Sequence, residues 1–143
     1  MIDSFRGEYR WLSNFHEHPI HHLGLVFPTT EAAYQATKRL DDWDFIREVA
    51  SQRSPGKAMR LGRSLPITTP NWHKSVKFSV MRELNTQKFL DDDLGRKLLA
   101  TGDEELVERN DWGDRVWGVC EGTGANHLGR ILMEIRRNLR LGL

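Results

Sequence analysis

Residues 28–38 read Pro28-Thr29-Thr30-Glu31-Ala32-Ala33-Tyr34-Gln35-Ala36-Thr37-Lys38 and predict the start of a helix. A proline directly before two threonines is a helix-entry signal, and either threonine can cap the first turn. At about 100° per residue, Glu31, Gln35 and Lys38 fall within roughly 60° of one another, with Tyr34 beside them. Two interpretations follow. This side is either a solvated surface with a Glu–Lys pair, or a functional face whose opposite side, made of alanines and Leu40, packs closely.

Length and composition limit the classes of protein to consider. The chain has 143 residues, of which 38% are hydrophobic and 29% charged, which predicts one globular domain over residues 1–143. A net charge of +1 gives no strong field for nucleic acid or membranes. The sequence contains no apolar run long enough for a membrane span or a signal peptide. The single cysteine, Cys120, excludes an internal disulfide and predicts a cytoplasmic protein.

Local patterns predict an α+β fold dominated by helices. Helix-start signals and hydrophobic periods indicate about six helices. They begin near Thr30, at Trp43 (through Ala50), at Ser54-Pro55 (to Leu61-Gly62), after Thr68-Thr69-Pro70, at Asp91-Asp92-Asp93 (through Leu99) and near Leu128 (to Leu139). The fourth of these signals, Thr68-Thr69-Pro70, is followed by a stripe of Trp72, Val76, Val80, Met81 and Leu84 that is expected to be buried. Trp11-Leu12-Ser13-Asn14-Phe15, Leu23-Gly24-Leu25-Val26-Phe27 and Leu106-Val107-Glu108 are predicted to be short extended segments.

A second chemically dense region covers residues 110–129. It holds Asp111, Trp112, Asp114, Trp117 and five glycines, and it ends at the predicted N-terminus of the last helix. Glycines allow a ligand to approach the backbone, and free helix amides attract anions. No P-loop or dinucleotide fingerprint is present. The pattern fits a ligand-binding loop and equally an ordinary connection rich in turns.

Three groups invite a metal or nucleophile interpretation, and we predict neither. Residues 16–22 read His16-Glu17-His18-Pro19-Ile20-His21-His22, where the proline breaks helical spacing, so we expect an exposed polar loop. The triple aspartate at 91–93 is expected to cap a helix. Cys120 has no histidine partner in the sequence. No metal site and no cofactor are predicted.

The ordered motifs resemble those of the NADAR family, also called YbiA-like, over essentially the whole chain. The resemblance rests on Trp11-Leu12-Ser13-Asn14-Phe15, Pro19-Ile20, Phe27-Pro28-Thr29-Thr30-Glu31, Tyr34-Gln35-Ala36, Lys38, Asn71-Trp72, Lys77, Met81, Leu106-Val107-Glu108, Trp112-Gly113-Asp114, Asn126-x-Leu128-Gly129 and Leu132-Met133. It departs from many members in having Ala32 after the motif glutamate, and in the loop between Asp114 and Asn126.

The resemblance implies an enzyme that hydrolyses N-glycosidic bonds of ribosyl compounds, with a compact fold of helices and few strands. Its substrates would be ribosylamino-pyrimidine phosphates of riboflavin synthesis. One alternative is removal of ADP-ribose from guanine in nucleic acid, and a second is a non-catalytic module that binds nucleotides or ADP-ribose. The expected partner is therefore a small ribosyl phosphate, an ADP-ribosyl substrate or ADP-ribosylated nucleic acid. No membrane partner is expected, and the oligomeric state stays open.

The chemistry of N-glycoside cleavage suggests a role for each candidate. Glu31 would stabilise positive charge at the sugar C1 carbon, with Asp114 as its partner from the second region. Lys38 would contact C1 or phosphate, or attack C1 to form a Schiff base. The predicted substrate-binding residues are Asn14, Phe15, Tyr34, Gln35, Trp72, Trp112, Gly113, Asn126 and Arg6. Among these, the tryptophans would stack on base or ribose, and the asparagines would bond ribose hydroxyls or the base edge. Phosphate would lie near Arg6 or at the helix that follows Asn126.

Overall fold

The computed structural model describes all 143 residues and contains six α-helices and four short strands. The strands are β1 (Glu17–His22), β2 (Leu25–Thr29), β3 (Arg109–Asn110) and β4 (Val119–Cys120). The α-helices are α1 (Thr30–Ala36), α2 (Trp43–Ala50), α3 (Pro55–Arg63), α4 (Lys77–Lys88), α5 (Asp92–Ala100) and α6 (His127–Leu141). Gly7–Leu12 and Thr37–Arg39 are 3₁₀-helices, and Trp72–Val76 is a π-helix. The predicted α+β architecture dominated by helices is confirmed.

Side-chain caps begin four of the helices, as their sequences predict. The hydroxyl of Thr29 accepts from the Ala32 amide at 3.1 Å and caps α1. Asp42, Ser54 and Asp91 cap α2, α3 and α5 in the same way, each by accepting an amide three residues ahead. The triple aspartate is therefore a helix start, as expected.

The contacts divide the chain into two compact units, and Asn14–Lys88 forms the first. In this unit β1 and β2 form an antiparallel hairpin, and α1 packs against the hairpin, α2, α3 and α4. Every residue of α1 is buried, because Ala32, Ala33 and Ala36 are small enough for neighbours to approach on all sides. Leu40, expected on the packed side of this helix, is instead 46% exposed, since it lies beyond the end of α1.

Met1–Ser13 and Phe89–Leu143 form the second unit. Here α5 packs against α6, while β3 and β4 pair in parallel over two residues each. The amphipathic helix α6 buries Leu128, Ile131, Leu132 and Ile135 and ends at Gly142, whose φ of 75° suits a glycine at a helix terminus. None of the helices in either unit combines the length and apolar character that a membrane span requires.

Two predictions for the N-terminal part of the chain are wrong. The segment Trp11–Phe15 is not a strand, because Trp11 and Leu12 belong to a 3₁₀-helix capped by Ser13, and Asn14 and Phe15 lie in a turn. Residues 17–22 are not a polar loop, because they pair with β2 as strand β1. Alternation explains the strand: Ile20 is fully buried, while His21 on the opposite side is exposed.

Two further predictions place a helix start or a strand at the wrong residues. Thr69 does not begin a helix, because its hydroxyl donates to the Thr37 carbonyl at 2.6 Å and accepts from the Leu40 amide at 3.1 Å. The helical segment starts after Asn71, with a π-turn first. Residues 106–108 make only an isolated bridge between Leu106 and Ile2, and the strand lies at Arg109–Asn110.

Candidate functional site

The polar face of α1 is buried, which excludes the interpretation as a solvated surface. Glu31 is 8% exposed, Gln35 2% and Tyr34 7%. The Gln35 Nε2 donates a hydrogen bond to Glu31 Oε1 at 2.8 Å. A carboxylate in such a place must be held by hydrogen bonds and nearby charges, because its burial alone is unfavourable.

Glycine at position 62 brings α3 against this face. A Cβ atom at Gly62 would lie 2.0 Å from Gln35 Oε1 and 2.8 Å from Gln35 Cδ. Only a residue without a side chain permits that approach, so Gln35 is wedged between Glu31 and the backbone of α3. The orientation of the Glu31 carboxylate therefore depends on a contact with another helix.

Lys38 lies half-buried on the 3₁₀-turn that follows α1, next to the Tyr34 ring. Its Nζ is 5.7 Å from the centroid of the Tyr34 ring. Tyr34 in turn contacts Trp72, with ring centroids 5.2 Å apart at a tilt of 50°. Since Trp72 is only 3% exposed, it supports Tyr34 from behind as part of the core.

Burial lowers the pKa of the Lys38 amine below its usual range. The nearby Glu31 carboxylate opposes this shift, whereas Arg63 and Lys77 reinforce it by repelling a second positive charge. A lysine in such surroundings reaches its neutral, nucleophilic form at lower pH than a solvated one. Glu31 and Lys38, seven residues apart in sequence, therefore form one electrostatic unit.

Asn14 anchors the beginning of α1. Its backbone carbonyl accepts from the Glu31 amide at 3.1 Å. Its side chain is also engaged, because Nδ2 lies 3.3 Å from Met81 Sδ and Oδ1 accepts from Asn85 Nδ2 at 3.3 Å. Phe15, next along the chain, is half-buried.

The other predicted site residues lie in the second unit, and one of them is Asp114. Its Oδ1 accepts from the backbone amides of Val116 at 3.1 Å and Trp117 at 2.9 Å, so one carboxylate oxygen organises a turn. Asn110 holds the same segment, donating to the Asp114 carbonyl at 2.8 Å. Gly113 has a φ of 88°, a backbone conformation that few other residues adopt.

Trp112 and Asn126 differ sharply in their surroundings. Trp112 is 56% exposed, and the Arg6 guanidinium lies 5.7 Å from its ring centroid in a cation–π contact. The amide of Asn126 is instead buried and bonded to the main chain: Nδ2 donates to the Leu106 carbonyl at 2.9 Å and Oδ1 accepts from the Glu108 amide at 3.0 Å. Its side chain acts as a structural bridge in this geometry.

The structure thus gathers Glu31, Tyr34, Gln35, Lys38 and Trp72 around one helix. Arg6, Trp112, Gly113, Asp114 and Asn126 belong to the other unit.

Sequence reasoning did not connect three residues with this helix: Gly62, which contacts Gln35, and Arg63 and Lys77, which act on the charge of Lys38. The glycine looks like a helix end and Arg63 like a cation suited to a helix C-terminus. Lys77 stands among the family motifs without an assigned role, and no local signal connects the three to Glu31.

No group of three or more His, Cys, Asp or Glu side chains is placed to hold a metal ion. Cys120 is a free, buried cysteine.

Comparisons with known proteins cover nearly the whole chain. A NADAR domain model matches residues 4–140. The N-glycosidase YbiA of Escherichia coli (strain K12) is 40% identical over 142 residues, which cover 96% of this chain and 86% of that protein. The riboflavin biosynthesis protein VVA0006 of Vibrio vulnificus (strain YJ016) is 36% identical over 132 residues, covering 91% of this chain and 35% of its relative. The NMR structure of the E. coli protein YbiA superimposes with a TM-score of 0.85 at 38% identity, over 99% of this chain and 88% of that one.

Proposed function

Because this chain belongs to the NADAR domain family, we propose that it is an N-glycosidase that hydrolyses ribosylamino-pyrimidine phosphates of riboflavin synthesis. The names of two relatives, an N-glycosidase and a riboflavin biosynthesis protein, support the reaction and its context. One observation on the molecule carries the proposal. A carboxylate and an amine, Glu31 and Lys38, interact electrostatically on one polar face that the fold withdraws from solvent.

Glu31 is the residue proposed to stabilise the reacting sugar. Cleavage of an N-glycosidic bond develops positive charge at C1, and a fixed carboxylate lowers the energy of that state. The Gln35 amide holds Glu31 in place with its 2.8 Å hydrogen bond, so little reorganisation is needed during the reaction.

Lys38 is the proposed nucleophile. A ribosylamine opens to an imine, and the neutral lysine amine attacks its C1 to form a new C–N bond. The bond from C1 to the pyrimidine nitrogen then breaks, and that nitrogen leaves with a proton as the free amine. Water hydrolyses the remaining lysine imine, which releases the sugar phosphate as an aldehyde and regenerates Lys38. The lowered pKa of Lys38 favours the first step, because only the neutral amine attacks.

Residues of the other unit have proposed roles as well. Asp114 is the candidate carboxylate partner, using the oxygen that does not bond the turn. Trp112, being exposed, has a ring face available to stack on a base. Arg6 next to it and Gly113 complete this group of proposed substrate-binding residues.

Release of the pyrimidine from a ribosylamino-pyrimidine phosphate tests the function directly. Glu31→Gln should reduce kcat by about 10²- to 10⁴-fold while the protein stays folded. Borohydride added during turnover should reduce the imine and attach the sugar phosphate to Lys38, and Lys38→Ala should abolish this labelling. Glu48→Gln and Lys57→Ala are matched controls, because both side chains are exposed on other helices.

Four results would contradict the proposal. Near-normal turnover by Glu31→Gln would remove the carboxylate from the chemistry, and undiminished trapping in Lys38→Ala would remove the lysine. Release of ADP-ribose from an oligonucleotide ADP-ribosylated on guanine, with no cleavage of the pyrimidine compound, would replace the substrate. Activity on neither compound would indicate a module that binds nucleotides or ADP-ribose without turnover.

A further inference from the structure

The segment Thr68-Thr69-Pro70, whose sequence looks like a helix start, lies against the turn that carries Lys38. Lys38 belongs to the 3₁₀-helix Thr37–Arg39 at the end of α1. Its backbone carbonyl accepts hydrogen bonds from the amides of Thr68 at 3.1 Å and Thr69 at 3.0 Å. Carbonyls at a helix end lack partners within the helix, so this neighbouring segment supplies them from outside.

The Thr69 hydroxyl makes two more hydrogen bonds, one on each side of Lys38. It donates to the Thr37 carbonyl at 2.6 Å and accepts from the Leu40 amide at 3.1 Å. Thr69 is 7% exposed, so water has little access to compete for these bonds. Residues 37–40 are therefore joined to residues 68 and 69 by four hydrogen bonds, and one buried hydroxyl makes two of them.

The same stretch of chain also supports the far end of the Lys38 side chain. Three residues after Thr69, Trp72 packs on the Tyr34 ring with centroids 5.2 Å apart. The Nζ of Lys38 lies 5.7 Å from the centroid of that Tyr34 ring. Between the two contacts, Asn71 has a left-handed backbone conformation with a φ of 59°, which bends the chain. Residues 69–72 thus contact the backbone of Lys38 directly and its amine through Tyr34.

Position matters for an amine that must attack a carbon atom. The lysine side chain is long and flexible, so the place of Nζ depends on where the backbone is fixed and on what the amine rests against. A displacement of about 1 Å at a reacting group can lower a rate by about 100-fold. The hydrogen bonds around Lys38 therefore bear on its chemistry as well as on the stability of the turn.

We infer that Thr69 is a positioning residue for Lys38, whose hydroxyl fixes the turn at residues 37–40 so that Nζ is held at the Tyr34 ring and directed at the sugar C1. This inference rests on the proposed function, in which Lys38 is the nucleophile, and it adds a residue that acts through Lys38 without touching substrate. Loss of the hydroxyl should therefore slow the reaction and leave substrate affinity unchanged.

Two substitutions at Thr69 separate its hydroxyl from its shape. Thr69→Val keeps the branched side chain and removes the hydroxyl, and it should lower kcat by about 10- to 100-fold with little change in KM. Thr69→Ser keeps the hydroxyl and should recover most of the loss in kcat. Thr68→Val is the matched control, because it removes a hydroxyl that bonds Asp41 from an exposed side chain, and its kcat should match that of the wild type.

Chemical labelling of Lys38 measures the position of its amine without any turnover. Burial lowers the pKa of this amine, so a displaced and more solvated Lys38 should be labelled by an amine reagent with a higher midpoint pH. We expect that rise in Thr69→Val and in neither Thr69→Ser nor Thr68→Val. The charged groups that also act on Lys38 are the same in every variant: Glu31, Arg63 and Lys77. A loss of global stability alone would not move this midpoint in protein that stays folded.

Hydrogen exchange tests the bonds in the wild type alone, which covers the case in which Thr69→Val does not fold. The Leu40 amide should exchange slowly although its side chain is 46% exposed, because it donates to the buried hydroxyl of Thr69. Fast exchange of this amide in the folded wild type would overturn the inference.

The other outcomes separate this inference from the proposed function. Wild-type kcat together with an unchanged labelling midpoint in Thr69→Val would overturn the positioning role. Equal losses in Thr69→Val and Thr69→Ser would assign the effect to packing and overturn the role of the hydroxyl, and a loss confined to KM would place Thr69 in contact with substrate. A wild type inactive on the pyrimidine phosphate would refute the proposed function, while labelling and exchange would still decide whether Thr69 positions Lys38.

Discussion

Gly62→Ala should disturb the site without touching any charged residue. The added methyl group would lie 2.0 Å from Gln35 Oε1, 2.8 Å from its Cδ and 2.9 Å from its Cβ. Ordinary contacts between carbon atoms are about 3.5 to 4.0 Å, so either α3 retreats or Gln35 changes its rotamer. Gln35 is 2% exposed and has little room to move. Either response breaks or lengthens its hydrogen bond to Glu31.

The expected cost combines two opposing effects. Overpacking a core costs about 1 to 3 kcal/mol, and the lost hydrogen bond to a carboxylate adds about 1.5 to 3 kcal/mol. Alanine gains up to about 1 kcal/mol over glycine inside a helix. We therefore expect the free energy of unfolding to fall by about 2 to 4 kcal/mol, with a decrease in kcat because Glu31 is no longer held.

Urea unfolding and steady-state kinetics measure the two consequences, and α3 supplies a matched control. A methyl group added at Gly56 meets only Ser54 Oγ at 3.6 Å, so Gly56→Ala should be neutral or slightly stabilising. Adding Gln35→Ala to Gly62→Ala should recover stability in part, since it removes the crowded amide, but it should not recover kcat. If Gly62→Ala proved as stable and as active as Gly56→Ala, the packing account of the site would be wrong.

Three further predictions concern other groups. Burial lowers the pKa of Lys88 to about 7. In the unfolded chain this lysine stays protonated up to about pH 10. The free energy of unfolding should therefore rise between about pH 7 and 10, where only the unfolded chain binds the proton. Lys88→Met should lose that rise and be the more stable near pH 7, by up to about 5 kcal/mol in urea titrations; an unchanged pH dependence would contradict the assignment. Asn126→Ala removes two hydrogen bonds to the main chain, of 2.9 and 3.0 Å, and should lower the unfolding free energy by about 2 to 4 kcal/mol. A raised KM at unchanged stability would instead indicate that this amide binds substrate. Arg63→Gln removes a cation that repels Lys38, so the midpoint pH at which an amine reagent labels Lys38 should move upward. An unchanged midpoint pH would show that Arg63 does not act on Lys38.

Local chemistry decided where most helices begin. Thr29, Asp42, Ser54 and Asp91 each bond an amide three residues ahead, so the signal and its effect lie within one turn of chain. Such signals can be recognised in a sequence because they need no distant partner. For the same reason, the sequence predicted the bounds of the helix at 43–50 and the shared face of Glu31, Gln35 and Lys38.

Elements that depend on distant partners could not be derived this way. Residues 17–22 form a strand only because β2 pairs with them. Thr69, which looks like a helix cap, instead bonds the Thr37 carbonyl and the Leu40 amide, on either side of the 3₁₀-turn. The side chain of Asn126 bonds the main chain at Leu106 and Glu108, which its own neighbours in sequence do not reveal.

The face of α1 shows where the two kinds of information divide. Its amino acids and their helical spacing set which groups share one side, a carboxylate, a phenol, an amide and an amine. Only the tertiary structure decided that this side is buried, because α2, α3 and α4 pack around α1 and Gly62 admits α3 to contact with Gln35. The same packing brings Arg63 and Lys77 close enough to shift the pKa of Lys38. Electrostatic effects of this size require proximity and low solvent access, and neither property is encoded in the spacing of residues along a single helix.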